Sequence, residues 1–208
     1  MILLSVIHHS QSSIPSLIHV LSNGEAVISF TYVRRVDPTR LVFEVKTQDN
    51  VIYYVKFARR YGEAAHCKAY ELGLAPKLLT CEELEGDWKV IVMEPIPKRY
   101  KAADDVLSGR TKRSLSDEAI QNVRSIIQEA LNPFFQEGFV HGDLRSANIY
   151  VDVDKEKGMM VDFDWAGHDG KVKYPPNVRC SSTIWCPETE LSFRPIELEH
   201  DRAMVKHL

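Results

Sequence analysis

The sequence predicts an α+β fold of two lobes, a small antiparallel sheet with one helix and then a mainly helical part. Three observations predict it. Runs rich in β-branched and aromatic residues recur at short intervals from Ala26 to Phe57, and a long amphipathic stripe runs from Asp117 to about Gln136. Between them lies a polar stretch, Lys98 to Ser114, that suits a boundary. The division this implies is an N-terminal extension over 1–24, a first lobe over 25–96 and a second over 97–208.

Residues 1–24 are Ser-rich, show no sustained period and end at the turn signal Ser22-Asn23-Gly24. Three strands are then expected at Ala26–Val33, Leu41–Lys46 and Val51–Phe57. The loop from Arg34 to Arg40, holding Asp37-Pro38, and the turn Gln48-Asp49-Asn50 join them into an antiparallel meander. From Tyr61 to Leu72 the pattern turns helical, with Ala64, Ala65, Cys67, Lys68 and Leu72 spaced for one face and Gly73 as the stop. Lys77–Cys81 and Trp88–Met93 read as two further strands across an acidic turn, and Pro95 and Pro97 end the lobe.

In the second lobe, Ile120, Val123, Ile127, Ala130, Leu131 and Phe134 form the i, i+3, i+4 stripe of one helix. Ser116 is its expected N-cap, Pro133 is expected to kink or break its last turn, and Gly138 to stop it. Short strands at Ile149–Val151 and Met159–Asp162 flank a charged turn, and a last helix is expected within Glu197–Leu208.

Composition narrows the function. The chain of 208 residues carries 26 Lys+Arg against 29 Asp+Glu, a net charge of −3. That leaves no basic excess for a nucleic-acid backbone. No apolar run approaches the roughly 18 residues of a membrane span, and Met1–Ile7 lacks a basic n-region. Cys67, Cys81, Cys180 and Cys186 contain no C-x-x-C pair and read as packing residues of a reduced, cytoplasmic protein, with no zinc site.

The chemistry is concentrated between Phe139 and Gly167. His141 to Asn148 reads H-G-D-L-R-S-A-N, and after thirteen intervening residues Asp162 to Gly167 reads D-F-D-W-A-G. Each polar cluster adjoins a strand-like apolar run. Phosphoryl transfer needs such residue types: a loop Asp to accept a hydroxyl proton, and an Asn amide oxygen with a second Asp as hard ligands for Mg²⁺.

On these residues the chain resembles the protein-kinase-like superfamily, closest to fungal atypical kinase-like proteins with an H-G-D-L-R-x-x-N loop and a D-F-D-W-A-G segment. The resemblance covers about residues 26–208. It implies a two-lobed kinase-like fold with a shortened C-terminal lobe, and ATP with Mg²⁺ held between the lobes. By position it implies Asp143 as catalytic base, with Arg145 where the loop cation meets the γ-phosphate. Asn148 and Asp162 become the metal ligands. Lys56 of Tyr54-Val55-Lys56-Phe57 becomes the phosphate-orienting lysine, with Glu63 as its ion-pair partner and Glu71 a competitor for that place. Met93-Glu94 falls at the adenine-meeting hinge, and Asp201 at the helix Asp that braces the loop. His141 and Trp165 are expected to hold and pack rather than react.

Two departures stand out. The turn Arg34–Arg40 contains no glycine, where the family closes a Gly-rich loop over phosphates, and Asp164 replaces the Gly of D-F-G. The expectation is therefore a phosphotransferase acting on a hydroxyl of a protein or small molecule. The alternative is a pseudokinase that binds nucleotide or protein and transfers nothing.

Overall fold

The computed structural model describes residues 18–22, 26–108, 116–176, 178 and 191–208, so Cys180, Cys186 and most of the 1–24 segment lie outside it. The chain divides into two compact units. One comprises the described residues up to Arg60 with Lys77–Pro95, and the other comprises Tyr61–Pro76 with the described residues from Ile96 onward.

The first unit is a six-stranded antiparallel sheet. Its strands are β1 (Ile18–Ser22), β2 (Ala26–Arg35), β3 (Val42–Thr47), β4 (Ile52–Ala58), β5 (Leu78–Leu84) and β6 (Trp88–Met93). They lie in the order β1-β2-β3-β4-β6-β5. Strand β1 was not foreseen: part of the segment read as an extension pairs with β2, Ile18 opposite Phe30. Period-2 alternation buries Phe30, Val45, Val55, Val90 and Val92 on one face, where Tyr32, Phe43, Tyr53 and Phe57 complete the cluster. The glycine-free β2–β3 turn is closed by its own bonds. Val36 N–H donates to the Val42 carbonyl at 2.8 Å, and Asp37 Oδ1 accepts from Thr39 N–H at 2.7 Å and Thr39 Oγ1–H at 2.6 Å. Those two bonds from Thr39 hold the Asp37 carboxyl below its ordinary range.

The second unit holds α1 (Glu63–Glu71), β7 (Lys101–Ala102), α2 (Ala103–Leu107), α3 (Asp117–Gln136), β8 (Phe139–Val140), β9 (Ile149–Asp152), β10 (Lys157–Met160), β11 (Gly167–His168) and α4 (Leu198–Lys206). Helix α3 starts as expected, Ser116 Oγ accepting from Ala119 N–H at 3.3 Å. It does not break at Pro133 and runs to Gln136, with Phe134 and Phe135 buried beyond the proline. Packing of those two rings outweighs one absent N–H donor in the last turn. Gly138 (φ 73) then ends it in left-handed backbone.

The buried face of α1 is Ala65, His66 and Ala69. The expected face therefore misplaced Ala64 and Cys67: both are exposed, about 100° round the helix from their buried neighbours Ala65 and His66. Cys67 is thus no packing residue. Within the polar stretch before α3, the five residues of α2 also went unforeseen. No helix among the described residues is long and apolar enough to cross a membrane.

Candidate active site

Two loops of the second unit are set side by side by strand pairing. The loop His141–Asn148 runs from β8 to β9, and the loop from Val161 to Ala166 runs from β10 to β11. Strand β9 pairs with β10, Ile149 opposite Met160, and β8 with β11, Val140 opposite Gly167. Both loops are therefore clamped at both ends. Val161 N–H continues the ladder onto the Asn148 carbonyl at 2.9 Å, which brings Asp162, the next residue, up beside Asn148.

Within the first loop Asp143, Arg145 and Asn148 form one cluster. Asp143 Oδ2 accepts from Arg145 Nη2 at 2.6 Å and from Asn148 Nδ2 at 2.9 Å, and Asn148 Nδ2 also reaches the Asp143 carbonyl at 3.0 Å. Asn148 is buried, so its amide nitrogen is committed to Asp143 and its oxygen is the group left for other work. Ser146 ties the same loop to α2 by donating to Asp104 Oδ1 at 3.0 Å.

Beneath the loop, Asp201 of α4 accepts backbone N–H groups from both His141 (Oδ2) and Gly142 (Oδ1). Burial pushes its carboxyl up to about 7, against the opposing pull of those two N–H bonds. His141 joins the loops, its Nδ1 accepting from Asp143 N–H at 3.3 Å and its Nε2 facing the Val161 carbonyl at 3.0 Å. That pattern fits the neutral ring with the proton on Nε2. Gly142 (φ 80) sits in left-handed backbone that strains any side chain, and a Cβ there would also crowd Ile196 Cδ1 at 2.8 Å and Trp165 Cβ at 3.2 Å.

Asp162 occupies left-handed backbone, φ 72. Asp tolerates this region better than most residues, yet at a cost that marks a constrained position. Asp164, by contrast, is not among the described residues of positive φ. Phe163 between them is wedged. It stacks on His66 of α1 at 4.5 Å with a 2° interplanar angle, tilts against His141 at 5.2 Å and meets Tyr61 at 6.5 Å. Its carbonyl accepts Gly62 N–H at 2.8 Å. His66 is itself fixed, Nδ1 by the Tyr61 hydroxyl at 2.5 Å and Nε2 by the Pro76 carbonyl at 2.8 Å.

In the first unit, Lys56 is buried on β4 at 6% exposure, opposite Val42 on one side and Ile91 on the other. Met93, half-buried, ends β6, and exposed Glu94 continues the edge by donating its N–H to the Lys77 carbonyl at 2.9 Å. Glu63 stands exposed in the first turn of α1, whereas Glu71 is engaged by Lys68 at 2.8 Å. Motif spacing could not reveal Gly62, Tyr61, His66 or Asp104. The only hint was a glycine directly before a helix.

No protein-family model matches the chain, and no curated protein sequence resembles it. Solved structures do. The Cydia pomonella granulovirus kinase PK-1 superposes with a TM-score of 0.60 at 14% identity, over 85% of this chain and 65% of that one. The fold is protein-kinase-like. WaaP, solved in complex with acyl carrier protein, matches with a TM-score of 0.47 at 17% identity over 68% of this chain. The chain spans just under two thirds of the length of each of these two neighbours, 65% and 63%.

Proposed function

We propose that the chain is an ATP- and Mg²⁺-dependent phosphotransferase acting on a hydroxyl acceptor. The observation that carries this reading is the adjacency of Asp143, Asn148 and Asp162 on two loops clamped by paired strands. Asp143 takes the acceptor's proton as the acceptor oxygen bonds to the γ-phosphorus and ADP leaves. Its carboxylate is already oriented by Arg145 and Asn148, and Arg145 offers the same loop a cation for the transferred group.

The donors present fit Mg²⁺. The Asn148 oxygen and the Asp162 carboxylate are hard oxygen ligands, and two protein donors suit an ion that keeps water and phosphate oxygens for the rest. When bound, the ion supplies neutralisation of phosphate charge. Lys56, with Glu63 as its orienting carboxylate, would hold phosphates, and Met93-Glu94 the base.

One observation favours a second reading, a binding module without transfer: the β2–β3 turn has no glycine and spends its Asp37 on holding itself closed. A thermal melt separates the two readings. Mg²⁺-ATP at 100-fold excess over Kd adds ~2.7 kcal/mol, a rise of ~5–10 °C for this chain length. The rise should vanish in Asp162→Asn, and phosphate transfer should vanish in Asp143→Asn. A rise without transfer across a broad acceptor panel selects a nucleotide-binding module, and no rise at millimolar ATP overturns the phosphotransferase and leaves a module that binds protein.

A further inference from the structure

Lys56 lies on the face of the first unit's sheet that is turned away from the aromatic cluster. Side chains alternate along β4, so Tyr53 and Val55 join the cluster, and Tyr54 shares the other face with Lys56. Strand pairing carries that face across the sheet as a row, with Arg34 opposite Glu44, Glu44 opposite Tyr54 and Tyr54 opposite Met93. The two charges of the row answer each other, Arg34 Nη2 donating to Glu44 Oε2 at 2.7 Å. What the row has left to offer is the Tyr54 ring beside Met93. Tyr54 is half-buried and belongs to neither hydrophobic cluster, and its side chain makes no ring contact and no hydrogen bond among the described residues.

The place of that ring selects its occupant. Tyr54 stands directly opposite Met93, the proposed contact of the base, and two residues before Lys56, the proposed contact of the phosphates. Two residues are about 6.7 Å of strand. A nucleotide that spans Met93 and Lys56 therefore lays its flat base over Tyr54 and sends its phosphates one step along β4. Base on ring is a stacking contact, open to every base because every base has a π-face, and its strength grows with the ring system. Burial, and after it the Glu44 carboxylate, raises the pKa of the Tyr54 hydroxyl against the pull of Arg34, so the ring is neutral beside a polyanion.

We infer that Tyr54 is the stacking platform of the nucleobase and gives the donor site its preference for purine over pyrimidine nucleotides. This rests on the phosphotransferase reading and names a specificity-determining residue for its donor. Calorimetry on the full chain with Mg²⁺ tests it, using ATP, GTP, CTP and inorganic tripolyphosphate against wild type, Tyr54→Ala, Tyr54→Leu and Tyr54→Phe. Wild type should bind ATP and GTP more tightly than CTP, and CTP more tightly than tripolyphosphate. Tyr54→Ala and Tyr54→Leu should lower ATP affinity ~10-fold or more, the scale of one lost base stack. The same two variants should narrow the gap between ATP and CTP and leave tripolyphosphate affinity unchanged. Tyr54→Phe should keep ATP affinity, because the ring and not the hydroxyl makes the contact. A wild-type preference for CTP overturns the inference, as does ATP affinity that is unchanged or raised in Tyr54→Ala. So does an equal loss of ATP and tripolyphosphate in both the Ala and Leu variants. Each of these results leaves the phosphotransferase reading intact, since wild type still binds nucleotide. If wild type binds no nucleotide, that reading falls first, so the two failures are distinct.

Discussion

Replacing Gly62 by Ala tests whether the D-F-D-W-A-G segment is held against the start of α1. A Cβ at Gly62 would lie 2.2 Å from the Ala166 carbonyl oxygen, 2.7 Å from its carbon and 2.9 Å from its Cβ. That is more than an ångström inside ordinary contact, and the obstacle is backbone, which cannot swing aside as a side chain can. Overpacking of this kind costs ~1–3 kcal/mol. The Gly62 N–H bond to Phe163, 2.8 Å in the native chain, would stretch as the segments part, adding about 1 kcal/mol. At ~2–4 °C per kcal/mol, a total near 3 kcal/mol lowers the melting temperature by ~6–12 °C. Differential scanning fluorimetry reads this directly. Gly170→Ala gives the opposite case: Gly62 has φ −86, whereas Gly170 has φ 66 with nothing within 4 Å of the new Cβ, so there only the backbone cost of ~1–2 kcal/mol applies. The displaced Asp162 should also cost ~100-fold in transfer, the penalty of an ångström's misplacement. A Gly62→Ala chain melting within about 2 °C of wild type would refute the contact and the clamping built on it.

Other outcomes follow from the same geometry. Asp201 keeps its proton in the native chain up to about 7, whereas the unfolded chain loses it near its ordinary ~3.9. The native state therefore binds the extra proton between these values, so its contribution to stability is full at acid pH and is lost as pH rises through 7. Urea unfolding across pH 4 to 8 should show wild type losing up to ~4 kcal/mol relative to Asp201→Asn, and parallel profiles would contradict it. Lys56→Met fills the buried site with an apolar chain of similar length, so the melting temperature should hold. ATP affinity, measured by calorimetry, should fall ~10-fold or more as a phosphate contact is lost.

Much of the architecture was legible because its signals are local. Alternating β-branched residues located β2, β3, β4 and β6 to within two residues, and Ser116 and Gly138 bracketed α3. The motif spacing found Asp143 and Asn148, which the structure joins by hydrogen bonds. What escaped depends on partners distant in the chain. Strand β1 exists because β2 offers it an edge, and the buried side of α1 is chosen by Phe163, nearly a hundred residues later, which takes His66 rather than Cys67. Gly62 looks like an ordinary helix-start residue until Ala166 is found against it.

The wedged Phe163 has a consequence for control. To turn outward, its ring would have to leave the flat face of His66 and the edge of His141, and its carbonyl would have to release Gly62, all within one packed core. The Tyr61 and Pro76 tethers on His66 stop that ring from following. A segment locked in this way makes a poor toggle. On the phosphotransferase reading, turnover is then governed by the arrival of nucleotide and acceptor rather than by movement of this segment.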